Sequence, residues 1–109
     1  MRNNFIIVKN LEELDRLINN ISNFPKKEVV LKKEIIKIIR DIYINIYIMV
    51  YDYNKDLGIE IISLINYLNE LIDRLYNKKI INKTKYLNIG NLVIEITKLL
   101  RGYFNEKNK

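Results

Sequence analysis

The sequence predicts an all-α protein, a single-domain antiparallel up-and-down four-helix bundle. Three observations carry this. Apolar residues recur at alternating steps of three and four along most of the 109-residue chain, which is the helical period. The breaks between periodic runs are short, and short connections make successive helices antiparallel neighbours. The only proline, Pro25, falls where a run begins, a place where a missing N–H costs nothing. A chain of this length forms one domain and buries a core without disulfide or metal staples.

The first helix is predicted over residues 10–22, capped by Asn10, with Leu11, Leu14, Ile18 and Ile21 spaced 3, 4 and 3. The second is predicted over 25–53, opened by Pro25. The third, over 56–77, carries Leu57, Ile61, Leu64, Leu68, Leu71 and Leu75. The fourth, over 82–104, carries Ile89, Val93, Ile96, Leu100 and Tyr103.

The second helix differs from the others. Leu31, Ile35, Ile38, Ile42, Asn45 and Met49 make one stripe, and Ile36, Ile39, Tyr43, Ile46, Val50 and Tyr53 make another. From Ile42 to Tyr51 every residue except Asn45 is apolar or tyrosine. A helix that is apolar all round is buried all round, and one small bundle does not enclose it. Self-association is therefore expected through Ile42, Tyr43, Ile46, Tyr47 and Val50. Asn45, placed in a core stripe, would fix register or subunit number. The alternation Ile42-Tyr43-Ile44 and Ile46-Tyr47-Ile48 also suits a strand, but helical spacing on both sides favours a helix.

Composition narrows the chemistry. There is no cysteine and no histidine, so disulfides, thiolate metal sites and the commonest general base are excluded. The thirteen carboxylates form no Glu-x-x-His pair and no calcium-binding loop. Gly58, Gly90 and Gly102 are too scattered to cradle a phosphate. The chain reads as a binding protein rather than an enzyme, with no cofactor or metal. The run Phe5-Ile6-Ile7-Val8 is too short for a secretory core, which points to the cytoplasm. Residues 35–51 carry Lys37, Arg40 and Asp41 and are too short and too charged to span a bilayer. Isoleucine, asparagine, lysine and tyrosine, all read from A/T-rich codons, are abundant, while alanine is absent. Part of the lysine content is thus genomic background.

The net charge is +6, and its placement says more than its size. Lys26, Lys33, Lys37 and Arg40 are spaced 7, 4 and 3, so they fall within roughly 60° on one helix face. Arg74, Lys78, Lys79, Lys83 and Lys85 form a second group with no acid among residues 74–85. Lys78 and Lys79 at a helix C-terminus complement the helix dipole, but Lys26, Lys27, Lys83 and Lys85 in first turns oppose it. In an up-down-up-down bundle the first and third turns share one end. Residues 26–33 bring +3 there and residues 74–85 bring +5, about +8 against a chain total of +6. Such a pole suits phosphate. Most tyrosines read as packing residues, and Tyr76 and Tyr86, beside the basic turn, are the candidates for stacking on bases.

Three segments carry a family resemblance: Phe24-Pro25-Lys26; Leu68-Asn69-Glu70-Leu71-Ile72-Asp73-Arg74-Leu75 followed by Lys79-Ile80-Ile81-Asn82-Lys83-Thr84-Lys85-Tyr86; and Glu95-Ile96-Thr97-Lys98-Leu99-Leu100-Arg101-Gly102-Tyr103-Phe104. In order and spacing they resemble the accessory variability determinant of diversity-generating retroelements, within the wider four-helix-bundle family that includes proteins encoded in 23S rRNA intervening sequences. Arg101 stands where that family usually has the first of two glycines, and Tyr103 where it has tryptophan. The resemblance implies a barrel-like homopentamer that binds template RNA or DNA and the element's reverse transcriptase in support of mutagenic reverse transcription. By position, Lys26, Arg74, Lys79, Lys83 and Lys85 match its basic or polar sites. The alternative is an intervening-sequence-type or orphan bundle serving as a structural or protein-interaction module.

Overall fold

The computed structural model describes residues 2–21 and 24–108. They form four α-helices, α1 (Arg2–Asn19), α2 (Val29–Tyr51), α3 (Lys55–Asn77) and α4 (Lys83–Lys107), with one 3₁₀ turn, Lys26–Glu28, before α2. No strand occurs among the described residues, so the Ile-Tyr-Ile alternation lies in helix. The body measures 45 × 23 × 18 Å. Among the described residues each helix packs closely on two neighbours in the ring α1–α2–α3–α4, and the diagonal pairs lie further apart.

The spacing that predicts α3 and α4 is the spacing that fills the core. Ile61, Leu68, Leu71 and Leu75 of α3 and Ile89, Val93, Ile96, Leu100 and Tyr103 of α4 are all buried. Both helices start on an asparagine that accepts orphan backbone N–H groups. Asn54 Oδ1 accepts from Asp56 N at 2.8 Å and Leu57 N at 3.3 Å. Asn82 Oδ1 accepts from Lys85 N at 2.8 Å. Asn54→Ala is expected to cost about 1 kcal/mol, read as a lower denaturant midpoint with unchanged slope.

The first half of the chain departs from expectation. α1 begins at Arg2, so Asn10 lies inside the helix and caps nothing. One more turn extends the core stripe to Ile7, Leu11, Leu14, Ile18 and Ile21, spaced 4, 3, 4 and 3, all buried. The helix ends at Asn19, and the expected end at residue 22 lies outside the described residues. Pro25 stays extended (φ −60°, ψ 138°). The first turn after it closes as a 3₁₀ turn, with Glu28 N donating to Pro25 O at 3.0 Å, and α geometry starts only at Val29. α2 stops at Tyr51, two residues early. Tyr53 then crosses the end of the bundle, its hydroxyl donating to Asn108 Oδ1 at 2.7 Å and its ring edge-on to Tyr103. Gly58 completes that end, since a Cβ there would lie 3.3 Å from the Phe104 ring.

α2 resolves into a core side and an outer side. Ile35, Ile38, Ile39, Ile42, Ile46 and Met49 are buried within the protomer. Ile42 and Ile46, expected at a subunit interface, are 0% and 1% exposed and belong to the protomer's own core. Tyr43 is half-buried, and Tyr47 and Val50 are exposed. Asn45 is not a buried register residue. It sits half-buried at the α2–α3 seam beside Asp41, Ile44, Glu60 and Leu64, and no polar residue is buried among those described.

Candidate nucleic-acid interface

The chain places its two basic turns at one end. Lys78, closing α3, reaches Glu28 at the entrance to α2, with Nζ 3.0 Å from Oε1. Residues 26–33 and 74–85 therefore share a pole, as the topology argument requires.

The sequence Lys78-Lys79-Ile80-Ile81-Asn82-Lys83 explains the local geometry. Ile81 is buried and Ile80 half-buried against the core, so the apolar pair plugs the bundle end. Lys79 and Lys83, on either side, are exposed. α3 closes with two crossed bonds, Ile80 N to Leu75 O and Lys79 N to Tyr76 O, both 2.9 Å. That pattern puts the intervening residue in the left-handed region, and Lys79 has φ 61°. Glycine is the usual occupant. A left-handed L-residue costs roughly 1–2 kcal/mol, and glycine's extra unfolded-state entropy returns about 0.5–1. Lys79→Gly should therefore raise stability by about 0.5–1 kcal/mol in denaturant melts, and weaken binding if its charge meets phosphate.

Not all nine candidate cations are equivalent. Lys26, Lys79, Lys83 and Lys85 cluster at the pole, and none of them makes an ion pair among the described residues. Lys78 and Arg74 line the α2–α3 groove together with Glu28 and Glu34, so their charge is locally offset. Lys33, Lys37 and Arg40 climb the outer face of α2, and Arg40 lies roughly 17 Å from that helix's start at 1.5 Å per residue. Lys37 pairs with Asp41 at 3.6 Å, and Arg40 shares the α1–α2 groove with Glu12 and Asp15. The structure thus separates a compact basic end from a stripe that leads away from it.

Tyr76 and Tyr86 stack on one another, with ring centroids 4.4 Å apart and planes 13° off parallel. The Tyr86 hydroxyl donates to Asp73 Oδ1 at 2.6 Å, and this bond raises the phenol pKa. Tyr86 is thus committed to packing, while Tyr76 remains exposed over it. More tyrosines are surface groups than expected, because Tyr47, Tyr51 and Tyr67 are exposed as well. Tyr43 and Tyr47 share a hydroxyl contact of 3.4 Å, which together with burial pushes the Tyr43 pKa up to about 12.

Fold and surface together define a four-helix protein with one basic end and one apolar outer stripe. No group of three or more acidic residues among those described is arranged to hold a metal ion, and no helix among them is long and apolar enough to cross a membrane. Comparison with family models, curated protein sequences and solved structures gave no match.

Proposed function

We propose that this protein is a non-enzymatic accessory factor that binds nucleic acid through its basic pole and acts as a homo-oligomer. The observation that carries the reading is the juxtaposition of the two basic turns. Exposed Lys26, Lys79 and Lys83 and half-buried Lys85, none of them in an ion pair among the described residues, gather at one end of the body, and Lys83 and Lys85 lie in the first turn of α4, where they oppose the dipole. Contacts from lysine to phosphate position a strand without reading its sequence. The exposed ring of Tyr76 adds a face on which an unpaired base stacks. The segment resemblance supplies the context: template RNA or DNA, a reverse transcriptase as protein partner, and mutagenic reverse transcription in a diversity-generating retroelement. The apolar outer stripe of α2 favours a second reading, a structural or protein-interaction module of the intervening-sequence or orphan type.

The test is anisotropy of labelled single-stranded RNA and a matched duplex over a salt series. Four or five phosphate contacts predict a log–log slope of about −3 to −3.5 on single strands, at roughly −0.7 per contact. No binding of either probe at about 0.1 M salt, where the Debye length is ~10 Å, would turn the assignment to the interaction module.

A further inference from the structure

The outer face of α2 changes character along its length. Its first half carries Lys33, Lys37 and Arg40. Its second half carries Ile44, Tyr47, Ile48 and Tyr51. At 100° per residue all of these fall within about 100° of one another, opposite the core-facing residues. The four second-half side chains are 49%, 47%, 51% and 86% exposed. Two of them are tyrosines, each able to bury about 150–250 Å². Together they make a patch of several hundred Å², at the upper end of what a monomer leaves bare.

We infer that this face seats a second copy of the chain, with the two α2 helices antiparallel across a twofold axis near Tyr47 and Ile48. The inference rests on the self-association in the reading above and is independent of nucleic-acid binding. Charge decides both occupant and direction. A parallel pair would set Lys33, Lys37 and Arg40 against their own copies, which is repulsive. An antiparallel pair sets Ile44 level with the partner's Tyr51 and stacks Tyr47 on Ile48. It carries Arg40 past the end of the partner helix to the level of the α2–α3 turn. Asp52 in that turn and Asp56 and Glu60 at the start of α3 are exposed there against one exposed lysine, Lys55, so the end is net acidic. One surface therefore holds an apolar centre, a cationic arm and an acidic receptor for that arm, related so that a twofold satisfies each twice. Self-complementarity of this kind defines an isologous interface.

Because the chain has no cysteine, single cysteines report the geometry. Ile48→Cys and Arg40→Cys are made separately in the full chain, which stays folded by circular dichroism because both sites are exposed. Each is oxidised mildly at low micromolar concentration beside sedimentation of the unmodified chain. The twofold predicts a disulfide-linked dimer from Ile48→Cys and little from Arg40→Cys, whose two copies lie roughly 22 Å apart along the axis. Tyr51→Lys should weaken association at least tenfold. Equal cross-linking at both sites overturns the antiparallel arrangement. Sedimentation as an oligomer with cross-linking at neither site points to a head-to-tail ring such as a pentamer, and overturns the twofold while self-association stands. A monomer at all concentrations overturns both.

Discussion

Changing Lys26, Lys79 and Lys83 together to glutamate is expected to abolish measurable nucleic-acid binding and, at the same time, to stabilise the fold. The two effects have separate causes. Each lysine contacting phosphate contributes about 0.7 of a unit of salt slope on single strands and, as an exposed charge, roughly 1 kcal/mol at most. Loss of three such contacts weakens binding about a hundredfold, and the new carboxylates add repulsion. Stability moves the other way. Lys26 lies in the turn that leads into α2 and Lys83 opens α4, so a negative charge at either place complements the dipole it now opposes, by about 0.3–1 kcal/mol each. None of the three makes an ion pair among the described residues, so nothing structural is lost. Lys78 is left alone, because its reversal would replace the ion pair with Glu28 by two neighbouring carboxylates. Anisotropy and a denaturant melt on the same variant give the answer. Stabilisation with unchanged binding would show that the lysines serve solubility alone.

The pattern of legible and illegible elements has a physical basis. α3 and α4 could be read because each carries a long apolar stripe at regular steps of three and four. Period and phase are explicit enough to give most of the core, although in α3 Leu57 and Leu64 are half-buried and Ile65 and Ile72, outside the stripe, are buried. The start of α1 was hidden by Phe5-Ile6-Ile7-Val8, since four consecutive apolar residues carry no period from which a helix could be recognised. The 3₁₀ turn before α2 is not legible because proline permits a helical start without enforcing α over 3₁₀ geometry. The placement of the basic pole followed from topology alone, whereas the offsetting of Arg74 and Lys78 by Glu28 and Glu34 depends on a seam between two helices distant in sequence. The Tyr76–Tyr86 stack, ten residues apart across the α3–α4 turn, depends instead on how closely that turn brings the two helices together.

The same limit hides the inward direction of Ile42 and Ile46, and it sets up the sharpest mutational contrast in the molecule. Between Ile42 and Tyr51 almost every position of α2 is apolar or aromatic, so the sequence has no phase there. Only the positions of α1 and α3 decide which isoleucines face inward. Ile42 is fully buried and Ile48 is 51% exposed, six residues apart on the same helix. Ile42→Ala should cost about 2–5 kcal/mol, the usual range for a buried aliphatic truncation with its residual cavity. That is a large share of the roughly 5–15 kcal/mol available to a domain, and at about 4 °C or more per kcal/mol it lowers Tm by at least ~8 °C. Ile48→Ala should change the stability of the dissociated protomer by no more than about 0.5 kcal/mol. It should instead remove the concentration dependence of Tm that self-association confers. Melts of both variants over a hundredfold range of protein concentration separate the two roles. A large, concentration-independent loss at Ile42 with a small, concentration-dependent one at Ile48 fixes the rotation of α2 about its own axis. The reverse pattern would mean that α2 presents its other side to the bundle, and Ile42, Ile46 and Met49 would then be the contact surface.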